Sequence, residues 1–213
     1  GREARKMIQG APPGKVWAAK ATLLKRHFQD TGKNTVESDG FATFVQDEGH
    51  WLKPYALHEV MCEEKGTSDT SKWGEHAKLS PSQIDSMSSP GGGKYVACRF
   101  HYWVQYLLHV QLKQVSEHAK RKGVSLMCGL PFAAGDRSDP WSRPEFFRAE
   151  RSLGSPPTVS ADGKISVGAS WGTPSYDWDQ IVSEGYGWWL GRLKRWSTYF
   201  HGVRLMGALG YFR

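Results

Sequence analysis

Between Arg99 and Lys122, large apolar side chains return every three or four positions: Phe100, Trp103, Val104, Leu107, Leu108, Leu112 and Val115. That spacing lays them on one face of a helix that must bury itself against something. The run ends in Lys120-Arg121-Lys122, which suits the negative end of the helix dipole, and in Gly123, which suits a helix stop. Val124 to Phe132 follows as a short apolar run ending in Leu130-Pro131, the pattern of a buried parallel strand. A second pair of the same kind lies near the end. Trp189, Leu193, Trp196 and Phe200 share one face of a helix over Tyr186 to Phe200, and a strand over Gly202 to Met206 comes next. The order helix, strand, long loop, helix, strand is that of a βα unit in a parallel sheet, so the chain is expected to be α/β.

The long loop runs from Ala133 to Trp178 and is rich in Gly, Pro, Ser, Asp and Trp. It leaves the carboxyl end of a strand, the edge at which such folds bind ligands. A loop of this length is normally functional. It holds Trp141, Trp171, Tyr176 and Trp178. Aromatic faces set among polar residues suit sugars, which have apolar C–H faces and hydroxyl edges; the same rings could equally pin the loop to the rim of the sheet.

Upstream the pattern is helical. Val16, Trp17, Leu23, Leu24 and Phe28 predict a helix over Val16 to Phe28, and the polar stretch Asp30 to Asp39 reads as a linker. Asp39 is a candidate N-cap for a second helix carrying Phe41, Phe44 and Val45. Trp51, Leu52, Tyr55, Ala56 and Val60 continue it, with Pro54 expected to break it in two. Ser80 to Lys94 reads as a loop with Pro90-Gly91-Gly92-Gly93 at its tip.

With 213 residues the chain can build one domain with a real core, or two small ones. No apolar run approaches the length of a membrane span, and the start lacks a secretory pattern. Gly1 in place of Met, and the aromatic ending Gly-Tyr-Phe-Arg, suggest a chain cut inside a fold. The net charge is +7, with Arg2, Arg5, Lys6, Lys15, Lys20, Lys25, Arg26 and Lys33 near the start. A solvated helix face accounts for these; an anionic partner such as RNA and an organelle transit segment are the alternatives. No RRM, KH or zinc-finger signature is present. Cys62, Cys98 and Cys128 form no C-x-x-C pair and read as reduced thiols in the cytoplasm, with a plastid or mitochondrion as the alternative. The histidines have no metal-ligand spacing, so neither a metal nor another cofactor is expected. Gly32-Lys33 and Pro90-Gly91-Gly92-Gly93-Lys94-Tyr95 fail as phosphate loops, and there is no G-x-S-x-G elbow.

Several segments taken in order resemble one family. They are Trp51-Leu52-Lys53-Pro54-Tyr55-Ala56, Thr67-Ser68-Asp69 with Trp73-Gly74, and Phe100-His101-Tyr102-Trp103-Val104-Gln105-Tyr106 with Leu108-His109-Val110-Gln111-Leu112. Leu130-Pro131, Trp141, Pro144, Phe147 and Gly154-Ser155-Pro156-Pro157 follow. Trp171-Gly172-Thr173-Pro174-Ser175-Tyr176-Asp177-Trp178, Tyr186, Trp188-Trp189 and Arg192-Leu193 complete the series. They resemble the 4-α-glucanotransferases (amylomaltase, or disproportionating enzyme), and the cytosolic plant-type branch in particular. The resemblance implies a partial (β/α)₈ TIM-barrel-like domain with a helical insertion over 41–213, about half of the family's barrel, after a basic N-terminal helical segment over 1–40. It also implies an α-glucan or maltooligosaccharide as ligand.

The departures bear on chemistry. The family cuts its glycosidic bond with retention, using one carboxylate as nucleophile and another as acid/base. The nucleophile belongs to an Arg-x-Asp-His motif that reads Arg204-Leu205-Met206-Gly207 here, so Met206 stands at its place. The Asp of Gly-Asp-Leu-Pro is Gly129, the Asp after Pro-Pro is Thr158, and Gln-Asn before Trp-Gly is Ala169-Ser170. A thioether cannot form the covalent sugar ester. The expectation is therefore an inactive relative with no catalytic residue of its own, with glucan contacts at Trp171 and Arg204 supported by Trp141 and Tyr176. Arg204 could equally be structural. The alternatives are a non-catalytic scaffold subunit of a larger assembly, a ribonucleoprotein among the candidates, whose protein partner covers the incomplete barrel, or an enzyme using a carboxylate outside the motif.

Overall fold

A computed structural model describes residues 12–131, 133 and 138–207. Expectations that fall on Arg2, Arg5, Lys6, Phe132 and the final Gly-Tyr-Phe-Arg lie outside the described residues. By packing, the chain divides into two units: Gly1–Met61 with Ser82–Val110, and Cys62–Pro81 with Gln111–Arg213.

The first unit is helical. Helix α1 (Pro13–His27) starts with proline at its first position, where the missing N–H costs nothing. It runs through a π-turn (Phe28–Gly32) into the short α2 (Lys33–Val36), so much of the expected linker is helical. The Phe28 ring meets Phe100 at 5.7 Å and Trp103 at 5.3 Å, which anchors this stretch. Helix α3 (Asp39–Lys65) begins where expected, but Ser38 is its cap, its Oγ accepting from Phe41 N at 3.3 Å. Pro54 does not break α3, which is continuous over 27 residues. The proline removes one backbone hydrogen bond. Burial of Phe41, Phe44, Leu52, Ala56, Leu57 and Val60 on both sides of it holds the helix together.

The expected loop over Ser80 to Lys94 contains a helix, α4 (Pro81–Ser88). Its sequence has little apolar periodicity. It is fixed by tertiary contacts: Ile84 and Ser88 are buried, Lys53 reaches Asp85 at 2.5 Å, and the Tyr102 hydroxyl donates to the Ser88 carbonyl at 2.8 Å. Helix α5 (Tyr95–Arg121) is the long amphipathic helix read from the sequence. It stops at Gly123, which is left-handed with φ 68°, while Val124 N–H bonds Ala119 O and Gly123 N–H bonds Lys120 O, as in a Schellman cap.

The second unit holds the strands. β1 (Met127–Pro131) and β6 (Gly202–Met206) pair in parallel, with Met127 opposite Gly202, Gly129 opposite Arg204 and Pro131 opposite Met206. The expected parallel pair therefore forms, but it is not buried on both faces: Leu130 is covered, whereas Met127 and Leu205 are exposed. The stretch read as one long loop is mostly ordered. It contains the short helix α6 (Ser138–Ser142), an antiparallel ladder of β2 (Phe147–Ser155) with β5 (Ala169–Tyr176), and between them a separate antiparallel pair of β3 (Thr158–Val159) with β4 (Ile165–Ser166). Register shifts on either side of Ser152 blur the period-two pattern, which explains why no strand was legible there. Helices α7 (Trp178–Ser183) and α8 (Gly187–Ser197) lead back to β6. The core of this unit is Leu130, Phe146, Phe147, Tyr176, Ile181 and Trp189, with Trp178, Trp188, Leu193, Trp196 and Val203 packed against it.

Candidate glucan-contact residues and their supports

Trp171 and Arg204 are the two expected contact residues that face solvent. Trp171 lies on β5 beside Gly172, which is left-handed at φ 67°, and is 51% exposed. Arg204 is exposed in the middle of β6. The two residues belong to different sheets, one on the antiparallel ladder and the other on the parallel pair.

Trp141 and Tyr176 are placed differently. Trp141 is only 6% exposed; its ring meets Trp73 at 5.5 Å edge-on, and its Nε1 donates to the His76 carbonyl at 3.1 Å. Trp73 in turn donates from Nε1 to the Thr67 carbonyl at 3.1 Å. Trp141 thus fastens the segment holding Thr67 to Ala77, and its faces are taken. Tyr176, at 5%, sits inside the aromatic core, with Phe147, Trp178 and Trp189 at 5.3–5.4 Å. Both rings act as supports of the surface rather than as parts of it.

The base of the ladder is tied by charge. Arg148 on β2 donates from Nη2 to Asp177 at 3.2 Å and to Asp179 at 2.7 Å. Asp177 also caps α7, accepting from Gln180 N at 3.2 Å, so it joins the end of β5 to the following helix. The Arg148 hydrogen bond, with the Gln180 N–H after it, holds the Asp177 carboxyl below its ordinary range. Arg192 on α8 bonds Asp139 on α6 at 2.6 Å and lies over the Trp188 ring at 4.7 Å. These two arginines were not singled out as supports from the sequence. The Trp188–Arg192 spacing of four on a helix is a local signal for the second. The partners of Arg148 lie 29 and 31 positions away, with no local signal at all.

Met206 is 49% exposed, on the same face of the parallel pair as Arg204 and Gly129. A Cβ on Gly129 would fall 2.8 Å from the Met206 sulfur, so the thioether lies over the bare backbone of the neighbouring strand. Neither β1 nor β6 contains an acidic residue. Cys128 faces the other side, and burial pushes its thiol above the ordinary value.

A family model described as 4-alpha-glucanotransferase matches residues 2–213. The chain belongs to the 4-alpha-glucanotransferase family. It is 33% identical over 197 residues to the 4-alpha-glucanotransferase DPE2 of Oryza sativa subsp. japonica, a match covering 92% of this chain and 20% of the relative. It is 27% identical over 204 residues to the 4-alpha-glucanotransferase of Aquifex aeolicus, covering 92% of this chain and 40% of that one. The amylomaltase of Streptococcus agalactiae, solved in complex with acarbose, shares the fold with a TM-score of 0.74 at 20% identity, over 92% of this chain and 40% of that chain. The chain therefore spans between a fifth and two fifths of the length of these relatives. Among its described residues, no helix is long and apolar enough to cross a membrane.

Proposed function

We propose that this chain is a 4-alpha-glucanotransferase relative that holds α-1,4-glucan but does not transfer it. The observation that carries the reading is Met206. It occupies the position that matches the family's nucleophile, on a strand pair that carries Arg204 and no carboxylate. Retaining transfer passes through a glycosyl ester on an Asp or Glu oxygen. A thioether has no oxygen with which to form it and no charge with which to stabilise an oxocarbenium-like centre. In this reading β1 and β6 are neighbouring strands of a (β/α)₈ barrel of which the chain carries about half. Residues 1–40 form a basic helical lead-in, and 41–213 the partial barrel with its helical insertion. Trp171 offers a ring face and Arg204 a set of donors, both on the exposed side. The acarbose bound by the related amylomaltase supports a glucan as ligand. A cytosolic setting goes with Cys62, Cys98 and Cys128, none of which is joined in a disulfide among the described residues.

Calorimetry with maltooligosaccharides tests the binding half, and a maltotriose disproportionation assay tests the catalytic half. The expected results are measurable heat of binding and no release of glucose. Met206→Asp alone is expected to leave the assay blank, because position 129 is still glycine and the sequence matches at 158, 169 and 170 also depart from the family. Appreciable turnover from that single change would overturn the reading.

A second reading, a scaffold subunit held against a protein partner, is favoured by one observation: Met127, Leu205, Val159, Ile165 and Val167 are apolar and exposed. Absence of sugar binding together with co-purification in a large particle would favour it.

A further inference from the structure

We draw no further inference here: the strongest candidate, the apolar surface patch at the turn from α7 to α8, where Tyr186 is held left-handed at φ 60° with Val182 and Leu190 exposed four positions to either side, carries none because nothing in the structure shows what covers it.

Discussion

Asp177 joins three elements with one carboxylate: it caps α7, ends β5 and accepts from Arg148 on β2. Because its folded pKa lies below the unfolded value of about 3.9, the linked stability is fully present above that value. It is lost as pH falls through the folded pKa. The melting temperature is therefore expected to drop on acidification below about pH 4. Asp177→Asn, which keeps a capping oxygen but removes the charge, should show a shallower drop in that window. Thermal melts of the two proteins from pH 6 to pH 2 check this, and parallel curves would speak against it. Trp141 gives a second residue-scale prediction. Trp141→Ala opens a cavity against Trp73 and is expected to cost about 3–5 kcal/mol. Trp141→Phe keeps a ring but loses the bond to the His76 carbonyl and is expected to cost roughly 1 kcal/mol from that bond. Denaturant unfolding followed by fluorescence separates the two.

At the scale of elements, α3 and α4 show where local preference loses. A proline inside a helix costs about 3 kcal/mol relative to alanine, yet α3 continues through Pro54 because a buried stripe runs along its length. Pro54→Ala is expected to raise stability by about 1–3 kcal/mol, read as a higher denaturant midpoint at unchanged slope. A lower midpoint would mean that the proline's local geometry is itself needed for packing. Helix α4 is the opposite case: eight residues with weak periodicity become a helix because Ile84 and Ser88 have a core to enter and Lys53 reaches across to Asp85. The β2–β5 ladder is similar. Its strands are joined across as many as 29 residues, from Phe147 to Tyr176, and a window of ten residues carries no trace of that pairing.

At the scale of the molecule, the exposed apolar residues matter most. Val159 and Ile165 stand opposite each other in the β3–β4 register, and Val167 follows just past the end of β4, so three exposed apolar side chains cluster at the hairpin. Such a cluster favours self-association. Replacing the three residues with Thr is expected to reduce concentration-dependent association in sedimentation velocity while leaving the melting temperature within about 6 °C, since each exposed site contributes within about ±0.5 kcal/mol. An unchanged sedimentation profile would place the association elsewhere.

What the sequence determined by itself was everything carried by short-range periodicity and by ordered motifs. The stripe from Phe100 to Val115, the stop at Gly123, a strand within Val124–Phe132, the Gly202–Met206 strand and the family membership all belong here. Side-chain spacing and chemical identity are local properties, so they survive without coordinates. The tertiary structure alone decided which tryptophans face solvent, that Trp141 and Tyr176 are buried supports, that the long loop holds a β-ladder, and that the Met206 sulfur lies over Gly129. Each of these depends on residues tens of positions apart meeting in space, and burial and charge pairing are fixed only when they do.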